Sequence, residues 1–157
     1  TVLVDGDPRA TRAFLLAIAG RLAPTGGRLR VAGHLLPERA AWVRSHVGVA
    51  LLADADDPIA ELSHPLRGPA QIVVIDGLDR LESEAMRDQA AALLRDAALA
   101  RRERTGDGTS PLTILASTQR EDTALALMTE ARRIGVSSLT LSSRYETTVP
   151  APAEEHA

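Results

Sequence analysis

Residues 1–33, TVLVDGDPRATRAFLLAIAGRLAPTGGRLRVAG, set the architecture that we expect for this chain of 157 residues. An apolar strand at residues 2–4 leads into a loop of Gly, Asp and Pro, and the spacing of the apolar side chains predicts a helix over residues 10–22. Pro24 and the pair Gly26-Gly27 end this helix. Strand, loop and helix in this order form the layout of a phosphate-binding site, but the lysine that such a loop uses is missing.

The composition is that of a globular protein, and it disfavours several classes of function. The chain is 45% hydrophobic and 25% charged, carries a formal net charge of -3 and contains no cysteine. Disulfides and thiolate metal sites are therefore excluded, and the scarcity of aromatic residues and of basic blocks argues against a nucleic-acid partner. All 18 basic residues are arginine, so a phosphate would have to be held by a guanidinium group instead of an ammonium group.

The sequence also predicts the cellular location of the chain. Its apolar runs are much shorter than the membrane-spanning length of about 20 residues, and no signal peptide precedes the first strand. We therefore expect a cytoplasmic chain that does not itself insert into a membrane. Because the sequence begins with Thr and directly on a strand, it is left open whether the chain is a fragment of a longer protein.

Apolar runs and helical periods alternate along the rest of the chain. Strands are predicted over RLRVAG (28–33), HVGVALLA (46–53), QIVVID (71–76), LTILAS (112–117) and VSSLTLS (136–142). Helices are predicted over residues 37–45, around 59–62, over 82–104 and over 121–133, with a loop at 105–111 and a flexible tail at 144–157. This alternation indicates one α/β domain over residues 1–143, with three layers in which helices cover both faces of a mainly parallel sheet.

The candidate site follows from this fold, because ligands of parallel sheets bind at the carboxyl ends of the strands. In the first such loop, Thr11 stands where a phosphate loop has its lysine, and Arg12 stands where it has the Ser or Thr that holds magnesium. Gly6 is the only glycine that remains in this loop, and Arg9 or Arg12 could offset the missing lysine. The alternative is an ordinary strand–helix turn with Asp7 or Thr11 near the helix cap.

Two further strand ends carry polar residues. Asp76 ends an apolar strand, which is how P-loop NTPases place a carboxylate against magnesium, and Gly77 stands where a hydrolytic site has a Glu. Gln119 follows the next strand, where a polar side chain can bind a γ-phosphate. Asp76 and Gln119 are thus the candidate catalytic residues, and Asp76 is the candidate magnesium ligand. The alternatives are a strand-end Asp that satisfies the next turn, and a plain turn at residues 117–119 that leads into a helix.

The motifs together resemble the nucleotide-binding domain of ATP-binding cassette (ABC) transporters. FLLAIAGRLAPTGGRLRVAG (14–33) is similar to the helix, turn and strand that follow the phosphate loop in that family. RSHVGVALL (44–52), QIVVIDGLDRL (71–81) and LTILASTQRED (112–122) resemble its later motifs, in the same order. The resemblance covers about residues 1–143. It implies a P-loop NTPase-like fold, with ATP and magnesium as cofactors. It also implies a nucleotide site at Gly6, Arg9, Thr11, Arg12 and Asp76.

The departures from the family pattern fall on the groups that hydrolysis needs. Thr11 replaces the lysine, Gly77 replaces the catalytic Glu, and Gln119 replaces the switch His. Residues 54–70 stand where the family has a helical subdomain with its Leu-Ser-Gly-Gly-Gln signature, so two copies of this chain could not complete a composite site. We therefore expect a degenerate domain, weak or inactive as an ATPase, that binds ATP and magnesium or no cofactor at all.

The resemblance implies a membrane transporter subunit, or another protein, as the partner, with the chain held at the inner face of the membrane through it. A homodimer is left open. One alternative is a minimal P-loop ATPase that uses Arg9 or Arg12 in place of the lysine. The other is a non-catalytic interaction module that docks through the charged face of the long helix: Arg87, Asp88, Arg95, Asp96, Arg101 and Arg102.

Overall fold

The structure, a computed structural model, describes residues 2–105, 112–130 and 137–141. The strands are β1 (Val2–Gly6), β2 (Leu29–Val31), β3 (His34–Leu36), β4 (Val47–Leu51), β5 (Ile72–Asp76), β6 (Thr113–Ser117) and β7 (Ser137–Leu141). The α-helices are α1 (Pro8–Ile18), α2 (Ala40–His46), α3 (Pro58–Arg67), α4 (Glu84–Thr105) and α5 (Glu121–Glu130). Short 3-10 turns follow β4 at Leu52–Asp54 and β5 at Leu78–Arg80.

The main sheet has the order β4-β5-β6-β1-β7 within the described ranges, and every neighbouring pair in it is parallel. The predicted α/β fold with a mainly parallel sheet is therefore confirmed. After β1 the next strand of this sheet is β4, at one edge. After β6 the next strand is β7, at the opposite edge. The connections of the adjacent strands β1 and β6 thus run in opposite directions, which is the position where open α/β sheets bind their ligands.

Helices cover both faces of the sheet, and each face has its own core. On one face, Leu15 of α1 and Val43 of α2 pack against Val74 of β5. On the other face, helices α3, α4 and α5 pack against Val73 and Ile75, the two neighbours of Val74. Side chains of a strand alternate between the two faces of its sheet, so the run IVVI has to be apolar throughout. The predicted three layers are confirmed in the described part of the chain.

The hairpin β2–β3 was not predicted from the sequence. Only the first of its strands lies in a predicted strand, and the pair forms a separate antiparallel sheet in which Val31 faces His34. The two residues between the strands, Ala32 and Gly33, both have positive φ angles, of 48° and 82°. A two-residue turn with positive φ at both positions matches the twist of a tight hairpin.

Helices α1, α2 and α3 differ from their predicted bounds. Helix α1 ends at Ile18 instead of near residue 22, and α2 begins at Ala40 instead of at residue 37. Helix α1 begins earlier than expected, because Asp7 caps it and Pro8 fits its first turn. Helix α3 is longer than the short helix predicted around 59–62 and continues through Pro65. The side chain of Pro65 packs over Gly48 of β4, where a Cβ atom would lie 2.8 Å from the proline ring. Close packing against the sheet thus overrides the usual preference for ending a helix before proline.

The proposed docking face of α4 is wrong at one position, because Arg101 is only 3% exposed. Its guanidinium group donates hydrogen bonds to the backbone carbonyls of Leu66, Gly68 and Ala70, at 2.7 to 3.1 Å. The carbonyl of Leu66 belongs to the last turn of α3, where carbonyls lack partners within the helix, and those of Gly68 and Ala70 lie just beyond it. Arg101 therefore joins the end of α3 to α4 and is not available to a partner protein.

Several predictions lie outside the described residues: the loop beyond Thr105, the last turn of the helix predicted over 121–133, and the tail at 144–157. Among the residues that the structure covers, no helix combines the length and the apolar character needed to cross a membrane.

Candidate functional site

The loops that follow β1, β4, β5 and β6 enclose a cleft of about 320 Å³ at the carboxyl edge of the sheet. The predicted site residues Arg9, Thr11, Arg12, Asp76 and Gln119 all line it. The remaining predicted residue, Gly6, lies at the end of β1, and its carbonyl accepts a hydrogen bond from the side chain of Gln119. The carboxyl ends of the parallel strands therefore form a cleft, as expected. The chemistry of this cleft depends on how its side chains pair.

Asp7 occupies the backbone donors that a phosphate loop would aim at its ligand. Its carboxylate caps α1 and accepts hydrogen bonds from the N–H groups of Arg9, at 3.1 Å, and Ala10, at 2.9 Å. The N–H of Gly6 donates to the side chain of Asp5 at 2.7 Å. Working phosphate loops use such N–H groups to cradle an anion. In this chain the anion is already present, as carboxylates of the loop itself.

Thr11 does not replace the missing lysine. It is 1% exposed, and its hydroxyl donates a hydrogen bond to the carbonyl of Pro8 at 3.1 Å. Its own N–H bonds to the carbonyl of Asp7, as the first turn of α1 requires. Thr11 thus serves the helix, and it brings no positive charge to the cleft.

Arg12 brings that charge, but two carboxylates of the chain hold it. Its Nη1 donates to Oδ1 of Asp54 at 3.0 Å, and its Nη2 contacts Oδ2 of the same carboxylate. Its Nε lies 3.7 Å from Oδ2 of Asp76. The hydrogen bond with Asp54 raises the pKa of Arg12 despite the opposing effect of burial, and the attraction of both carboxylates adds to the rise. The guanidinium group is thus fixed between the ends of β4 and β5.

Asp76 is engaged at both of its oxygens. Its side chain is 7% exposed, and Oδ1 accepts a hydrogen bond from the hydroxyl of Ser117 at 2.8 Å. The same hydroxyl accepts a hydrogen bond of 2.8 Å from the N–H of Gly77. The other oxygen of Asp76 faces Arg12. Asp76 therefore ties the ends of β5 and β6 together.

Gln119 is also bound within the chain. Its side-chain Nε2 donates to the carbonyl of Gly6 at 2.9 Å, which joins the loop after β6 to the end of β1. Its backbone N–H donates to Asp79 at 2.8 Å, and the hydroxyl of Thr118 donates to the same carboxylate at 3.0 Å. Arg120 adds an ion pair to Asp79 at 3.7 Å. The segment predicted to sense a γ-phosphate is therefore held by Asp79, a residue of the neighbouring loop.

This arrangement does not fit magnesium and ATP. A metal ion at Asp76 would have to compete with the guanidinium group of Arg12, and a phosphate at α1 would have to displace Asp7. Within the part of the chain that the structure covers, no three acidic or histidine side chains lie close enough to hold a metal ion together. The predicted site residues thus do line one cleft. Asp7 occupies the position expected for the phosphate, and Arg12 occupies the position expected for the metal ion.

Sequence reasoning missed Asp54, the residue that pairs with Arg12. It lies in the 3-10 turn after β4, so the rule that selected the ends of the other strands would have found it. Asp79 lies in the 3-10 turn after β5, and its anchoring of Gln119 depends on contacts between loops that are distant in the sequence. The position of Asp54 could thus be selected from the sequence, but neither its pairing with Arg12 nor the anchoring by Asp79 has a local sequence signal.

We expect the carboxyl group of Asp54 to titrate below the ordinary aspartate pKa of 3.8, because Arg12 donates hydrogen bonds to its ionised form and attracts it. Since the pKa is lowered in the folded state, the pair stabilises the fold above that ordinary value. This contribution is lost as the pH falls through the lowered pKa. Carbon-detected NMR of the side-chain carboxyl groups measures the titration, with Arg12→Ala as the control that returns the Asp54 pKa to its ordinary value. A pKa of 3.8 or above in the unaltered chain would contradict the pair.

Comparison with known proteins does not identify the site. Its assignment rests on the geometry of the cleft and on the resemblance of the motifs. No protein-family model matches this chain, and no curated protein matches it either.

Proposed function

We propose that this chain is a degenerate P-loop NTPase-like domain of ABC type that does not hydrolyse ATP. Its role in this proposal is that of an accessory or regulatory partner of a membrane transport system. The observation that carries the proposal is that the chain's own side chains fill both charged positions of the site: Asp7 lies on the amides of α1, and Arg12 lies against Asp76.

The chemistry of hydrolysis is disfavoured separately from nucleotide binding. A general base has to accept a proton from the attacking water, and a free carboxylate or histidine near the phosphate serves best. The carboxylates that line the cleft, Asp76 and Asp79, already accept hydrogen bonds from Ser117, Thr118 and Gln119. Phosphate capture and water activation use different groups. A domain of this type can therefore lose the groups that activate water and still keep its α/β fold.

The accessory role is supported by the features of the fold that do not depend on catalysis. The strand order, the capped α1 and the cross-links between the strand ends keep a rigid α/β body without a working catalytic centre. A body of this kind can transmit or block movement in an assembly through its surface alone. The partner that the resemblance suggests is a membrane transporter subunit, which would hold the chain at the inner face of the membrane.

The two alternatives have less support. A minimal ATPase that uses Arg12 in place of lysine also needs Asp76 to be free for magnesium, whereas Asp76 accepts a hydrogen bond from Ser117 and faces Arg12 at 3.7 Å. A pure interaction module that docks through α4 loses Arg101, which is buried against α3.

A titration with a fluorescent ATP analogue, with and without magnesium, tests the loss of the nucleotide site. We expect no magnesium-dependent binding of the analogue, either in the unaltered chain or in Asp76→Asn. Asp56→Asn is the matched control, since it removes the same charge from an exposed position near the cleft. Saturable binding that needs magnesium and is lost in Asp76→Asn alone would contradict the proposal.

The accessory role has its own test. The chain is co-expressed with the membrane proteins encoded beside its gene, and the membrane fraction is extracted with detergent. We expect the chain to purify with one multispan subunit in a fixed ratio and to alter that subunit's transport rate. Transport that is the same with and without the bound chain would contradict a regulatory role.

A further inference from the structure

We propose that the cleft is an oxyanion site in which Arg12 takes the place of a divalent cation and Asp54 is a built-in competitor for the ligand. The ligand class is a phosphate group, either free or carried by a nucleotide. This inference rests on the non-hydrolytic role proposed above and adds a ligand and a means of control to the same cleft.

The two edges of the Arg12 guanidinium group have different surroundings. Its Nε faces Asp76 at 3.7 Å, at the buried side of the cleft, and both of its Nη atoms face Asp54. A guanidinium fork binds a carboxylate and a phosphate in the same two-pronged manner. The carboxylate of Asp54 therefore stands where the oxygens of a bound phosphate would stand.

Asp54 is free to leave, whereas Asp76 is not. The side chain of Asp54 is 57% exposed, and among the described residues Arg12 is its only hydrogen-bonding partner. An ion pair with one partner so exposed adds little to stability, so an external anion can replace it at small cost. Asp76 is buried and accepts the hydroxyl of Ser117, so it would keep Arg12 oriented after Asp54 moves away.

Arg9 supplies a second cation at the mouth of the cleft. It lies in the first turn of α1 and lines the same concavity as Arg12. In the ranges that the structure describes, its exposed guanidinium group forms no hydrogen bond or ion pair. A phosphate carries more negative charge than the carboxylate that it replaces, and Arg9 is placed to meet the additional charge. Arg9 and Arg12 thus give the site positive charge that does not depend on a metal ion.

Calorimetric titration with inorganic pyrophosphate tests this inference on the whole chain, once with EDTA and once with magnesium. We expect Asp54→Asn to bind pyrophosphate about tenfold more tightly than the unaltered chain, since it frees the fork for charge-assisted hydrogen bonds. The gain should persist in EDTA and should vanish when Arg12→Ala is added to Asp54→Asn. Asp56→Asn removes the same charge two residues away and should leave the affinity within about twofold of the unaltered chain.

Titration with ATP in EDTA distinguishes the two sources of the phosphate. Equal affinities for ATP and pyrophosphate support a free phosphate ligand, and tighter ATP binding supports a nucleotide. An Asp54→Asn chain that is folded by circular dichroism but gains no affinity would overturn the inference, as would an equal gain in Asp56→Asn or a gain seen only with magnesium. Each of these results leaves the non-hydrolytic role standing. Hydrolysis of ATP by the unaltered chain would instead overturn that role and leave the oxyanion site to be judged by the pyrophosphate titration.

Discussion

Replacing Arg101 with Ala is expected to lower the free energy of unfolding by about 3 kcal/mol, the size typical of breaking a buried, charge-assisted hydrogen-bond network. Arg101 is 3% exposed, and it donates to the carbonyls of Leu66, Gly68 and Ala70. Truncation would leave these acceptors without the guanidinium group and would remove the packing of its stem. The end of α3 would then lose its attachment to α4.

Urea unfolding followed by circular dichroism measures this loss. The control is Arg102→Ala, which makes the same change at the next position of α4, where the side chain is exposed. Exposed substitutions of this kind usually change stability by less than about 0.5 kcal/mol. Equal losses in the two variants would show that Arg101 does not anchor α3.

Gly77→Glu, which restores the residue expected next to a magnesium-binding Asp, should destabilise the chain by about 3 kcal/mol and should not create an ATPase. Gly77 has a φ of 83°, a conformation that strains any residue with a Cβ atom. A Cβ atom there would lie 3.0 Å from the Cβ of Ala53 and 3.1 Å from its backbone nitrogen. The restored carboxylate would therefore be forced against the loop after β4.

Two alanine variants separate strain from crowding. Gly33 has nearly the same φ, 82°, but open space around the position of its Cβ atom. Gly33→Ala should therefore show the backbone strain alone, and Gly77→Ala should cost about 1 kcal/mol or more beyond it because of the contact with Ala53. Thermal unfolding of the two variants measures the difference. A Gly77→Ala chain as stable as Gly33→Ala would mean that the loop yields, and Gly77→Glu would then be expected to fold.

The sequence was sufficient for the parallel sheet and for the place of the cleft. Apolar runs such as residues 72–75 can be satisfied only between two layers of helices, so the architecture follows from local pattern and burial. Polar residues at the ends of such strands meet at one edge by geometry alone. Asp7 could be predicted as a cap because its role depends on its neighbours in the chain.

What could not be predicted depends on contacts between distant segments. The pairing of Arg12 with Asp54 needs the ends of β1 and β4 to meet across two other strands. The burial of Arg101 depends on how α4 lies against α3, and an Arg in a charged helix otherwise indicates a solvated face. The continuation of α3 through Pro65 depends on the missing side chain at Gly48. In each case a tertiary contact outweighs the local preference.

Several charged side chains in and around the cleft pair with groups of the chain itself. Asp7 places an anion at the start of α1, and Arg12 places a cation beside Asp76. A site that contains its own counter-charges is stable without a ligand. Under the proposed function, this site serves as a structural junction between the strand ends.

The central claim, that this chain does not hydrolyse ATP, is tested most directly by phosphate release from ATP and magnesium by the purified chain. The account predicts release no faster than in buffer alone, with the same result for Asp76→Asn. Turnover at about 1 s⁻¹ or faster, the lower end of the usual range for enzymes, that disappears in Asp76→Asn would contradict it.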